Sequence, residues 1–422
     1  MTAPPDEPPG AAEAGTLTGP ADHGVRAPLR YRDFRGLAAG RSLMYFGNAL
    51  VTVALAFAVL DLPGGSPVDL GIVLGARSMA LVVFALLGGV LADRLPRSVI
   101  LQGACGLAAA SQAAIAASVL TGVASVPLLA ALSVVNGTVA AVGLPAAVSL
   151  TPQTVPPHLL RQANAVARMG LMLGLAAGMS AGGGAVGLVG PGWALAFTAA
   201  VFAAAGAAFH FVRVAPPSAG ERGHPLRELA EGWTEFTARP WVWVVVLQFM
   251  VVNAVWSGGV KVLGPAVADA TIGRGLWGVV LSAETVGAVV GGLLAARWQP
   301  RRALLFGVSL TALDALPLLT LGYAPSVPFL LPAMFLTGVA LEQFGVAWEV
   351  SVQQNIPPDK LARVYSYDAL GSFVALPIGE TLAGPLAALV GTRTTLTGGA
   401  VLIGLACLAT LSVRGVRTLT AR

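Results

Sequence analysis

From Asp33 onward the chain is a succession of apolar runs of roughly 20 residues, and that succession leaves few folds open. A run of this length crosses the ~30 Å hydrocarbon core of a bilayer as a helix. The runs fall at 36–60, 68–92, 98–120, 126–150, 162–188 and 192–212, then at 241–267, 274–296, 302–322, 326–349, 364–389 and 393–413. Short alternating segments of the kind that build a membrane barrel are missing. Charged residues make up only 11 % of the 422, against about 25 % in a soluble domain. An ordinary cytosolic enzyme, a disordered chain and a disulfide-stapled secreted chain are thereby excluded. The expected fold is an all-α membrane protein of 12 transmembrane helices in two pseudo-symmetric six-helix bundles.

The longest polar interruption, 213–240, divides the chain into two halves of six apolar runs each. The expected organisation is a disordered cytoplasmic tail over 1–33, a first bundle over 34–212, a cytoplasmic linker over 213–240, a second bundle over 241–413 and a tail over 414–422. The first 25 residues are acidic and rich in Pro, Gly and Ala, with no apolar stretch of the kind a signal peptide needs. Placing the N-terminus inside puts 19 basic residues on inner segments and two, Arg274 and Arg393, on outer loops. That asymmetry predicts a multi-pass protein of the cell membrane with both termini cytoplasmic. The basic residues do not cluster as a nucleic-acid groove requires. Cys105 and Cys407 read as small buried hydrophobes, and no metal site or catalytic constellation is evident.

The halves are related in sequence. VPPHLLR (155–161) recurs as IPPDKLAR (356–363), and GLVGPGWAL (187–195) as ALVGTRTTL (388–396), at an offset of 201 residues. GGVLADRLPR (88–97) recurs as GGLLAARWQPR (291–301). Repeated six-helix halves with a site at their interface are the architecture of one large transporter fold.

The loop GGVLADRLPR, between the second and third spans, resembles the G-x-L-A-D-R-x-G-R-(R/K) signature of the major facilitator superfamily. Gly89, Leu91, Ala92, Asp93, Arg94 and Arg97 match, while Pro96 and Ser98 depart from it. RDFRGL, VGPGWAL and SYDALGS are similar to the drug-exporter-like branch that contains macrolide and siderophore exporters. The resemblance covers about 34–413 and implies alternating access by two rocking bundles. It also implies a gating loop of Gly89, Asp93, Arg94 and Arg97, latched by Asp93 to the start of span eleven beside Arg363. Two antiporter features are weak. The fifth span reads GLMLGLAAGMSAGGG without proline, and the fourth lacks the usual arginine. The fifth-span glycines at four-residue spacing suit close helix packing.

A charge at the bilayer centre costs at least ~2.5–3.5 kcal/mol on insertion scales, so each one needs an explanation. The first half holds Arg41, Arg77 and Arg168 in its spans, and the second holds Glu284, Asp314, Glu342, Glu349, Asp368 and Glu380 with Lys261. Arg77 and Glu380 match in depth, and the resemblance makes their helices neighbours across the interface. Arg168 and Glu284 face each other by the same analogy. Each pair is either a coupling site or a structural clasp. Arg41, Tyr45, Asn48 and Thr52 form one polar stripe, and Gly338, Glu342, Gly345 and Glu349 another. The expected proton and substrate cavity is Asn48, Arg77, Arg168, Glu284, Glu342, Asp368 and Glu380. Lys261 either neutralises a carboxylate or touches an anionic substrate, and Asp314 suits packing. GMSAG (178–182) and GRGLWG (273–278) mimic enzyme motifs without their structural context.

The expected function is secondary active, proton-coupled efflux of a small amphipathic molecule by a monomer. No cofactor is needed beyond the proton motive force, and no P-loop is present for ATP. Its partners are the substrate, the proton and the bilayer. A facilitative or uptake transporter of the same fold, or a non-transporting receptor or scaffold, are the alternatives.

Overall fold

The computed structural model describes residues 26–92, 97–212, 236–298 and 300–419. Twelve helices among them are long and apolar enough to cross a membrane. The first half runs α1 (Arg32–Leu60), α2 (Pro67–Ala92), α3 (Arg97–Leu120), α4 (Val126–Ser149), α5 (Leu160–Val189) and α6 (Pro191–His210). The second runs α7 (Pro240–Ala270), α8 (Arg274–Arg297), α9 (Ala303–Tyr323), α10 (Val327–Asn355), α11 (Pro358–Val390) and α12 (Thr392–Ser412). With an even number of crossings both ends of the described chain lie on one face, called here the terminal face; the other is the far face. On the terminal face α10 and α11 reach about six residues beyond the predicted apolar runs, because a helix continues where polar side chains meet water. Ala27–Arg30, placed in the tail by composition, form a short helical turn, and Ala27 packs with Phe34, Val155 and Leu159. Arg414–Thr418 are likewise helical, with Val416 buried among Trp241 and its neighbours.

The duplication in sequence becomes a duplication in packing. In the first half α1 packs on α5 and α6, α2 on α4, and α3 on α6 and α4. Adding six to each number gives the second half: α7 on α11 and α12, α8 on α10, α9 on α12 and α10. The bundles meet along α2–α11 and α5–α8, a pair that the same operation exchanges. The repeat even sets its turns. Gly190 and Gly391, 201 residues apart, both adopt positive φ (84° and 89°) and donate their N–H to Val186 and Ala387, ending α5 and α11 alike.

Glycine permits the close crossings. Gly170, Gly174, Gly178 and Gly182 lie flat against Ser42, Tyr45, Phe46, Ala49 and Val53 of α1, so the fifth-span stripe is a packing surface. Gly183 and Gly278 bring α5 onto α8, with Ser180 Oγ donating to Ser282 Oγ at 2.9 Å.

The second half departs from the first at two irregular turns. In α7, Ser257–Leu263 widen into a π-helical turn, and Pro265 has no N–H for the carbonyl of Lys261. In α9, Thr311–Asp314 tighten into a 3-10 turn ahead of Pro317. The carbonyl of Leu313, which Pro317 leaves without its helical donor, accepts from Thr337 Oγ1 of α10 at 3.3 Å. Away from water such a replacement is what makes an intramembrane proline tolerable.

Candidate functional site

Five intramembrane ionisable groups share one depth. Arg77 lies ten residues from the far-face end of α2, Glu380 ten from that of α11, Glu284 ten from that of α8, and Lys261 and Asp314 nine from those of α7 and α9. At 1.5 Å per residue that is about 15 Å below the far-face helix ends.

Arg77, Lys261 and Glu380 line one cavity of 260 Å³ between the bundles, together with Asn48, Tyr45 and Thr52. Asn48 Oδ1 accepts from Arg77 at 3.1 Å while its amide donates to the carbonyl of Met44 at 3.0 Å, so both ends of the side chain are held. Glu380 is 2 % exposed. Its Oε1 accepts from Ser257 Oγ at 2.6 Å, and its Oε2 has no hydrogen-bond partner. Ser257 opens the π-helical turn that also carries Lys261. Arg77 and Glu380 thus share a cavity and act on each other electrostatically, but they do not form the direct ion pair that depth matching suggests. Asn48 takes the guanidinium instead. The Lys261 ammonium has no hydrogen bond or ion pair among the described residues; its charge reaches Glu284, which in turn faces Asp314.

Arg168 is the second correction. It forms its ion pair with Glu342 of α10, and not with Glu284. The reason is rotational. Ser282 faces α5, and Glu284, two residues on, lies about 200° around α8. Its backbone sits against Gly338 of α10. Arg168 and Glu342 border a larger cavity of 660 Å³ between α5, α8 and α10, otherwise walled by Met169, Leu173, Val289 and Leu293.

Asp368 accepts from Trp348 Nε1 at 2.9 Å. Phe344 stacks on Phe249 and on Trp348 inside the second bundle, so Phe344 and Trp348 are interior packing, while Tyr45 reaches the cavity. The α1 stripe divides in the same way: Asn48 and Thr52 face the cavity, while Arg41 is buried and donates to Thr151 at 3.2 Å. On α10, Gly338 is sealed against α8, whereas Gly345 has open space beside it and Glu349 is exposed. Of the expected gating loop, Asp93 and Arg94 lie outside the described residues. Gly89, Arg97 and Arg363 fall within α2, α3 and α11, but their side chains also lie outside what is described.

Sequence reading overlooked a clasp on the far face. Arg274 NH1 and NH2 each donate to Asp61 at 2.7 Å, and Nε donates to Asp269 at 2.7 Å. The guanidinium also lies 5.1 Å from the Phe57 ring centre. Asp61 caps the end of α1 and Arg274 opens α8, so the clasp ties one bundle to the other. The available signal was Arg274, one of only two outer-loop arginines, with the acids Asp61 and Asp269 on the same face.

Two six-helix bundles related by an internal repeat, clasped at the far face by Arg274 and Asp61 and holding ionisable groups along their seam, define a two-bundle membrane transporter. The chain belongs to the Major Facilitator Superfamily, whose family model matches residues 37–380. It is 26 % identical over 382 residues to the multidrug efflux pump Tap of Mycolicibacterium fortuitum, covering 88 % of this chain and 91 % of that one. It is 26 % identical over 373 residues to the enterobactin exporter EntS of Escherichia coli, covering 85 % and 86 %. Among solved structures it superposes on the nucleoside transporter NupG with a TM-score of 0.71 at 14 % identity, over 90 % of this chain and 98 % of that one.

Proposed function

We propose that this chain is a secondary active exporter that moves a small amphipathic molecule across the cell membrane by alternating access, driven by protons. The observation that carries the reading is the cavity at the seam, where Arg77 and Asn48 of one bundle meet Lys261 and Glu380 of the other, on the terminal-face side of the Arg274–Asp61 clasp. The excess of basic residues on the terminal face makes that face cytoplasmic. The Arg274–Asp61 clasp then lies on the outer side of the membrane. Likeness to Tap and EntS, both named as exporters, supports the outward direction.

Protons act through carboxylates that hold the bundles in one arrangement. A proton on Glu342 cancels its attraction to Arg168 and loosens the bundles on the α5–α10 side. Glu380 in the seam cavity and Asp368 of α11 are the other candidate proton carriers. The gate of Asp93, Arg94 and Arg97 against the start of α11 near Arg363 would close the cytoplasmic side when the far face opens. The protein acts as a monomer, without cofactor, metal or covalent chemistry on its substrate. The missing arginine in α4 favours a second reading, a facilitative transporter of the same fold.

The test is a proteoliposome assay with a panel of lipophilic cations, macrolides, siderophores and organic anions added against a preset pH gradient. Export by antiport predicts proton movement with one member of the panel, lost in Glu342→Gln with the protein still folded. Passage of a compound with no proton movement in the wild type contradicts it and supports the facilitator.

A further inference from the structure

Taking the 260 Å³ cavity as the transport site, we propose that the substrate is an amphipathic organic anion, its acidic group seated between Arg77 of the first bundle and Lys261 of the second. Two cations face this space and one carboxylate. The carboxylate, Glu380, already has one oxygen engaged by Ser257. Arg77 gives one N–H to Asn48, a neutral acceptor, and keeps the rest of its donors. Lys261 gives none of its three N–H groups to any described partner. Glu284 of α8 is close enough to act on it through space, but it does not line the cavity and makes no ion-pair contact with Lys261.

An ammonium at membrane depth with unused donors is a site waiting for an acceptor. A carboxylate, sulfonate or phosphate takes charge-assisted hydrogen bonds from both cations at once. The rest of the wall, Leu74, Leu81, Leu376 and Tyr45, suits an apolar body attached to that group. The open Oε2 of Glu380 remains as an acceptor for a hydroxyl or N–H on the same molecule. Because the two cations belong to different bundles, the anion binds best in the arrangement that brings both to the cavity. A ligand shifts a conformational equilibrium only through such a difference.

The assignment fixes the sign of Glu380's effect. Ionised Glu380 acts on Arg77 and repels an anion bound in the same cavity, so a proton on Glu380 strengthens anion binding. Exchange of an outgoing anion for an incoming proton therefore cannot run through Glu380. It falls to the Arg168–Glu342 pair, which borders the other cavity.

The experiment is calorimetric titration of the purified, detergent-solubilised full chain with two probes of fixed charge on the same aromatic body, naphthalenesulfonate and naphthyltrimethylammonium. The wild type is expected to bind the sulfonate at least about tenfold more tightly than the ammonium. Lys261→Gln and Arg77→Gln should each weaken sulfonate binding by about tenfold or more, Lys261→Arg should retain it, and Glu380→Gln should tighten it. Equal or tighter binding of the ammonium, no saturable sulfonate binding, or unchanged affinity in a monodisperse Lys261→Gln protein each overturns the assignment. The wild-type comparison stands even where a variant does not fold. Equilibrium binding is independent of direction and coupling. Lost selectivity with proton-coupled flux intact contradicts the anion alone, and intact selectivity without proton-coupled flux contradicts the export reading alone.

Discussion

Arg274 grips Asp61 with two parallel hydrogen bonds of 2.7 Å, joining the start of α8 to the end of α1 across the seam of the two bundles. Planar, bidentate geometry of this kind fixes orientation as well as distance. The side chains are 26 % and 38 % exposed, so the pair contributes only about 1 kcal/mol or less to the stability of the fold. That is enough to bias two arrangements of the bundles that differ by little. Arg274→Gln is expected to raise the fraction open at the far face several-fold. Thr52→Cys in the cavity wall reports this, as an impermeant thiol reagent added to intact cells should label it faster in the Arg274→Gln background. Native Cys105 and Cys407 are buried and contribute little background. Equal labelling rates would show that Arg274 does not hold the far face.

The α5–α8 seam tolerates no side chain at Gly183, whose added Cβ would lie 2.8 Å from the backbone of Gly278. Gly183→Val should destabilise by about 1–3 kcal/mol through overpacking. Gly184, with open space around it, is the matched control, and Gly184→Ala should leave thermal unfolding in detergent unchanged. Equal midpoints for both variants would mean that the seam is looser than described.

Arg168 and Glu342 should behave as one unit in transport and barely register in stability. Arg168 is 65 % exposed, so either single substitution should shift stability by less than about 1 kcal/mol. Arg168→Glu should abolish transport, and adding Glu342→Arg should restore part of it. A double variant as inactive as the singles, in protein that folds, would show that the pair is not what matters at either position.

Thr337→Val removes the side-chain donor that α10 supplies to the Leu313 carbonyl beside Pro317. The Ala315 N–H still reaches that carbonyl, so the loss is that of one hydrogen bond, about 0.5–1.5 kcal/mol. A lowered unfolding midpoint with substrate binding unchanged is the expected result, because Thr337 stands outside both seam cavities.

The twelve spans and their division into halves were legible because hydropathy and repetition act over twenty residues or more, and the two seams followed from the family resemblance. One-residue detail was legible only where the repeat itself carried it, as at Gly190 and Gly391. Depth could be counted along a helix, which placed Arg77 and Glu380 together. Rotational phase could not, which gave Arg168 the wrong acid: Glu284 and Glu342 differ in the face they present far more than in how hydrophobic their surroundings are. The turn at Ser257–Leu263 left only a proline and two glycines as traces in a uniformly apolar run. The Arg274 clasp escaped because far-face charges had been counted for topology and not paired.

Coupling is the claim on which the exporter reading turns, and Glu342 is where the most direct measurement lies. Wild-type and Glu342→Gln proteins would be reconstituted side by side, with proton movement and exchange of a transported probe recorded in the same vesicles. Proton movement opposite to the probe in the wild type, lost in Glu342→Gln while probe exchange continues, is the predicted result. Proton movement that persists at the wild-type rate in Glu342→Gln would contradict the account.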